Sequence, residues 1–170
     1  MRHGVRVAVD VGAVRVGVAA SDPGGILASA VATLSSEQPA HGETAESGSA
    51  TADVRRIAGI VRERDAIEVL VGLPLSLSGK SGAAAELARS YAVRVAREIA
   101  PVPVRLVDER LTTVGAHRAL RQSGVKGRNQ RRVVDQVAAV LILQGALDTE
   151  RNTGQPPGEV VAYPPTPPAD

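Results

Sequence analysis

Cysteine is absent from the 170 residues, which excludes disulfides, zinc–thiolate centres and thiol chemistry. Aromatic residues are nearly as scarce, with two Tyr and no Phe or Trp. The core must therefore be built from Val, Leu, Ile and Ala, and nucleic-acid binding by stacking bases on aromatic side chains is removed. Any polynucleotide partner would have to be held by charge and backbone contacts. No apolar run approaches the roughly 18 residues of a membrane helix. The strand-like run from Val5 leaves no room for a signal peptide. These absences lead to the expectation of a soluble cytoplasmic protein with no membrane partner. Net charge is only +2, so the distribution of charge has to say what the total does not.

The length suits one domain with a real core. Residues 5–10 alternate, with Val5, Val7 and Val9 on one face and Asp10 closing the other. The pattern resumes over 14–20 after the short, glycine-containing link 11–13, which predicts a β-hairpin. A third strand is expected over 26–34, after the turn at 23–25. Residues 35–52 have turn composition and no apolar period, and predict a mobile loop. From Asp53 the spacing turns helical, with Val54, Ile57, Ala58 and Val61 at i, i+3, i+4 and i+7. A buried strand follows over 67–71, then a helix striped by Ala84, Leu87, Ala88, Tyr91 and Val95, then a strand over 104–107. Helices are expected over about 114–124 and 129–148. The domain is read as 1–150, with a disordered proline-rich tail over 151–170. This order predicts an α/β fold, a mixed five-stranded sheet covered by helices, in which an antiparallel three-strand meander precedes parallel strands.

Three places put carboxylates where they are costly. Asp10 ends a strand of apolar neighbours. Asp135 interrupts the run Val133-Val134-Asp135-Gln136-Val137-Ala138-Ala139, where an ionised group needs a cation or hydrogen bonds. Ala138 and Ala139, one turn on, leave room beside it. Asp108 and Glu109 stand at the end of the fifth strand, and the residues alone do not choose between them. Each acid has a plainer reading: a turn residue at 10, a solvent-facing position at 135, an arginine ion pair at 108–109. Taken together, carboxylates from separate elements, with no His or Cys alternative, suit Mg²⁺ or Mn²⁺ rather than zinc. The run 117–132 adds Arg118, Arg121, Lys126, Arg128, Arg131 and Arg132 with no acid among them, and leads straight into Asp135. Basic surface beside an acidic site suits a phosphodiester substrate.

Two other motifs fail. Gly79-Lys80-Ser81 ends like a phosphate loop, but Pro74 stands where the first glycine is needed. His3, His41 and His117 have no metal-ligand spacing.

The segments 7–23 (VAVDVGAVRVGVAASDP), 69–79 (VLVGLPLSLSG), 104–113 (VRLVDERLTT) and 133–148 (VVDQVAAVLILQGALD) together resemble the YqgF, or RuvX, family of Holliday-junction-resolvase-like proteins. The resemblance covers about residues 5–148 and implies an RNase H-like fold. It also implies Asp10, Glu109 and Asp135 as the acidic catalytic and metal-holding site, choosing Glu109 over Asp108. The 35–52 loop and the proline-rich tail are departures outside these motifs. The family is associated with maturation of the 5′ end of pre-16S rRNA and with resolution of junction DNA. Arg110, Thr112, Thr113, Arg128, Arg131 and Arg132 are the residues expected to contact phosphates.

The expected activity is metal-dependent phosphodiester hydrolysis, on precursor ribosomal RNA in preference to branched DNA. A four-way junction calls for a symmetric dimer, whereas no long apolar stripe is left over here, so a monomer or weak homodimer is expected. Two rivals belong to other classes. Asp10-Val11-Gly12 with Gly17 resembles the phosphate loop of actin-like ATPases, but those need a second such loop and a duplicated domain. A non-catalytic RNA-binding assembly factor would have no need of all three acids.

Overall fold

The computed structural model describes residues 1–45, 48–76, 78–80, 82–111 and 128–163. The strands are β1 (Arg6–Val11), β2 (Arg15–Ser21), β3 (Ala28–Ser35), β4 (Glu68–Leu73), β5 (Val104–Asp108) and β6 (Glu159–Val160). The helices are α1 (Ala52–Glu63), α2 (Ala83–Ile99) and α3 (Arg128–Thr153), with a single 3₁₀ turn at Glu109–Leu111 after β5. One sheet holds all six strands in the order β3-β2-β1-β4-β5-β6. The meander β1–β2–β3 is antiparallel, and β4 and β5 add in parallel beside β1. The expected meander followed by crossovers is what the chain forms, and its core is aliphatic, as the lack of aromatics requires.

Alternation along the strands feeds two cores, one on each face. Val7, Val9, Val11, Val16, Val18, Val69 and Val71 pack under α1 and α2. Ala8, Ala19, Leu70 and Val107 face α3, where Ala139, Ile142, Leu143, Ala146 and Leu147 cover them. The second face is floored mostly by small side chains, so α3 lies close to the central strands. At α3's start Gly17 meets the backbone carbonyl of Asp135, where a Cβ would collide with it. A glycine inside a strand marks such a close approach. Near the helix's other end, Gln144 accepts from the Ala28 amide at 2.9 Å and donates to the Ile26 carbonyl at 3.0 Å, fixing the entry to β3.

Several details differ from the sequence expectation. The sheet has six strands rather than five. The tail over 151–170 was expected to be disordered from the end of the domain at 150, but α3 runs on to Thr153 and Glu159–Val160 pairs antiparallel with β5. Gly158 turns the chain back with φ +83°, against the Leu106 carbonyl, so the prolines at 156 and 157 precede a strand rather than prevent one. The third strand begins at Ala28, leaving Ile26 and Leu27 exposed in the turn. At the start of α2, Ala85 is buried and Ala84 exposed, one position off the expected stripe.

Ser35 closes β3 and Ala52 opens α1, and the described residues between them hold neither helix nor strand. Some of the described residues between them are held by side chains of the helices. Arg94 donates to the Glu37 carbonyl at 3.2 Å, and Arg97 to the carbonyls of Ala45 and Gly48 at 3.0 and 3.1 Å. Buried Asp53 accepts from the Glu37 amide, the Thr51 hydroxyl and the Tyr91 hydroxyl. That environment raises the Tyr91 hydroxyl's pKa, through burial first and the neighbouring carboxylate second. The expected helix over 114–124 lies outside the described residues.

Candidate active site

The three acids chosen from sequence come from β1, the turn after β5, and the first turns of α3. All three stand on the sheet face that α3 covers. Asp10 shares its face with Ala8 because side chains alternate along a strand. It pairs across the hairpin with Gly17. On its other side β4 runs parallel, with Val9 opposite Val71, so Gly72 is the next position along. Glycines thus flank Asp10 on both neighbouring strands.

Each glycine is the floor for another acid. Gly17 lies under the Asp135 backbone. Gly72 lies under Glu109: a Cβ there would be 2.5 Å from Glu109 Oε1 and 2.6 Å from Ile142 Cδ1. The row Gly17–Asp10–Gly72 therefore gathers the acids from left, centre and right. Asp10 is 2 % exposed and Glu109 4 %, whereas Asp135 is partly open. Ala138 and Ala139 are both buried, and their smallness lets the helix approach as the sequence suggested.

Asp108, beside Glu109, is engaged elsewhere. It turns away onto Arg110, with Arg110 Nη2 2.6 Å from Asp108 Oδ2 and the Arg110 amide donating to Oδ1 at 2.9 Å. The Arg110 hydrogen bond holds the Asp108 carboxyl below its usual range. The plain ion-pair reading was right for Asp108. It leaves Arg110 committed to a neighbour, on the rim of the site beside Gly79.

Asp135 has an ion-pair partner that the sequence did not reveal. Arg15, the first residue of β2, places Nε 2.7 Å from Asp135 Oδ2. The hairpin tip that carries Arg15 is closed by the Gly12 amide donating to the Arg15 carbonyl at 2.9 Å. A lone cation opening an otherwise apolar strand was the only signal in the sequence. Thr112, Thr113 and the stretch 117–127 of the basic run lie outside the described residues, as do the side chains of Arg128, Arg131 and Arg132. His3 and His41 are exposed.

The donor set fits a hard divalent ion in kind, being oxygen-only and gathered on one face over glycine floors. Among the described residues, however, no three His, Asp or Glu stand together as a group that could hold a metal. The acids share a face without forming a closed ligand set, and one oxygen of Asp135 is engaged by Arg15.

Comparison with known proteins extends over nearly the whole chain. A protein from Kineococcus radiotolerans, provisionally named a pre-16S rRNA nuclease, is 56% identical over 164 residues, covering 96% of this chain and 81% of its own length. One from Thermobifida fusca with the same provisional name is 54% identical, covering 95% and 98%. Among solved structures, RuvC of Thermus thermophilus matches with a TM-score of 0.50 and 15% identity, over 91% of this chain and 99% of that one. That likeness speaks for the RNase H-like α/β fold alone. The family model described as RuvX, Holliday junction resolvase, matches residues 4–149. With that match, the four sequence blocks and the strand order in agreement, the chain is a member of the RuvX family.

Proposed function

We propose that this protein is a divalent-metal-dependent nuclease that trims the 5′ end of precursor 16S rRNA. The observation that carries the reading is the row Gly17–Asp10–Gly72, with Glu109 and Asp135 brought over its two glycines. The relatives' shared name supports the substrate. Asp10, Glu109 and Asp135 would hold Mg²⁺ or Mn²⁺, which when bound activates water and stabilises the leaving oxygen. Asp10 and Glu109 supply the charge in a setting that excludes bulk water, which strengthens their pull on a cation. Arg110, at the rim, positions a phosphate once it is drawn from Asp108. Thr112, Thr113, Arg128, Arg131 and Arg132 supply further phosphate contacts. Among the described residues no helix is long and apolar enough to cross a membrane. The protein works in the cytoplasm on its RNA as a monomer or weak homodimer.

The family description favours a second reading, resolution of four-way DNA junctions. The test is a cleavage assay of purified protein with Mg²⁺ or Mn²⁺ on both substrates. The expected result is a defined cut near the mature 5′ end of the RNA, abolished by Asp10→Asn, Glu109→Gln or Asp135→Asn in proteins that remain folded. Paired symmetric nicks in junctions with the RNA uncut would replace this reading with the resolvase. Cleavage at the wild-type rate by any of the three variants would remove that acid from the site.

A further inference from the structure

Arg15 occupies a position that a cation would also seek. Its Nε lies 2.7 Å from Asp135 Oδ2, and its side chain remains a quarter exposed. A guanidinium and a divalent ion compete for the same carboxylate oxygens, since both are drawn by the same charge. Arg15 is fixed in reach of the site by the closed hairpin tip, and its exposure leaves the guanidinium free to turn toward a phosphate. Arginine is suited to both partners because its planar donors match carboxylate and phosphate alike.

We propose that Arg15 is a counter-ion latch on the third acid, exchanging Asp135 for a phosphate of the incoming nucleic acid and so making nucleic-acid binding and metal binding cooperative. The inference rests on the metal-dependent nuclease reading above. Without nucleic acid Arg15 holds Asp135 and lowers the affinity for the ion. With it, the phosphate takes Arg15 and the carboxylate turns to the ion. Arg15 is thus a positioning residue, acting through Asp135. Coupling of this kind is reciprocal, so the ion must tighten nucleic-acid binding by the same factor.

The test reads binding rather than turnover. Mn²⁺ affinity is measured by electron paramagnetic resonance on wild type, Arg15→Gln, Arg15→Lys and Asp10→Asn, with and without a hydrolysis-resistant phosphorothioate oligonucleotide. Arg15→Gln should bind Mn²⁺ about threefold or more tightly in the absence of oligonucleotide, the scale of one partly exposed ion pair. Arg15→Lys should resemble wild type. The oligonucleotide should tighten Mn²⁺ binding in wild type and leave Arg15→Gln unchanged. Oligonucleotide affinity should rise with Mn²⁺ in wild type by that same factor. This reciprocal measurement needs no variant and stands even if Arg15→Gln folds poorly. If Arg15→Gln binds Mn²⁺ no more tightly than wild type while Asp10→Asn loses binding, the metal site stands and the latch fails. Absence of oligonucleotide–metal coupling in wild type also overturns the latch. If wild type binds Mn²⁺ no better than Asp10→Asn, the metal-dependent reading itself falls, and the latch with it.

Discussion

Gly72 has no functional group, yet its place decides where Glu109 can stand. A methyl group there would sit 2.5 Å from Glu109 Oε1 and 2.6 Å from Ile142 Cδ1. Relief must come from moving the carboxylate, the helix, or both. Overpacking of this sort costs about 1–3 kcal/mol. Gly72→Ala is therefore expected to lower the Tm by several degrees and to reduce cleavage well beyond what the loss of folded protein explains. A melting curve and an assay at matched folded concentration check it, and an unchanged Tm with full activity would mean Glu109 has another place to go. The acids at 10 and 135 were legible in the sequence because charge in an apolar run has a cost that shows. Asp108 and Glu109 could not be told apart from the residues alone, because two adjacent acids at a strand end look alike; the structure pairs Asp108 with Arg110. Arg15 was invisible for a related reason: its partner lies 120 positions away.

Among the elements, α3 carries the most consequence, since it is pinned at both ends. Its start rests on Gly17 and Arg15. Toward its other end, Glu150 enters a largely buried ionic cluster at the opposite end of the central strands. Arg2 donates to Glu150 from Nε and Nη2 at 2.9 Å each, and to Glu68 at 2.7 and 3.1 Å. Arg6, fully buried, reaches Glu150 at 3.2 Å, and Arg105 lies 3.3 Å from Glu68. Arg6 and Glu68 are paired residues at the starts of β1 and β4, while Asp10 and Gly72 lie toward the ends of the same strands. The cluster thus anchors the helix whose far end carries Asp135.

Hydrogen bonds from Arg2 hold the Glu150 carboxyl down to about 2, from an ordinary value of 4.5. Because the folded-state value is depressed, the stabilisation is complete above about pH 4.5 and is lost as pH falls from there toward 2. It amounts to something on the order of 2 kcal/mol at neutral pH. Glu150→Gln should melt lower than wild type at pH 7, and the gap should narrow steadily below pH 4.5. Chemical denaturation at pH 7, 5 and 3 checks this, and a gap that stays constant would show that Glu150 acts through shape rather than charge. None of the cluster was foreseen, since Arg2, Arg6, Glu68 and Glu150 read singly as ordinary surface charges. Burial of ions depends on which elements meet, and the residues of any one element do not reveal that.

At the scale of the molecule, alternation in the strands and the 3.6-residue stripe in α1 were enough to recover the mixed sheet and its covering helices. The sixth strand escaped because Glu159–Val160 is two residues long and held by its neighbour β5 rather than by its own pattern. The contacts that Arg94 and Arg97 make with the segment between β3 and α1 escaped because both arginines sit on a helix far along the chain.

The helix that completes the acidic face follows β1 to β5 in the chain. A ribosome making this protein releases β1 to β5, with Asp10 and Glu109, before α3 leaves the exit tunnel. Until then the alanine- and glycine-floored side of the sheet has no cover and Asp135 is not in place. Until α3 is made a nascent chain is thus an unarmed one: Asp10 and Glu109 come first in the chain, and Asp135 arrives with the helix. A chain stopped after residue 127 should neither cut RNA nor bind Mn²⁺, and adding residues 128–170 as a separate peptide should restore both in part. Cleavage by the shortened chain alone would show that the third acid is dispensable. On the proposed reading, with precursor ribosomal RNA as the substrate, this order of arming would keep the translating machine out of reach of its own unfinished product.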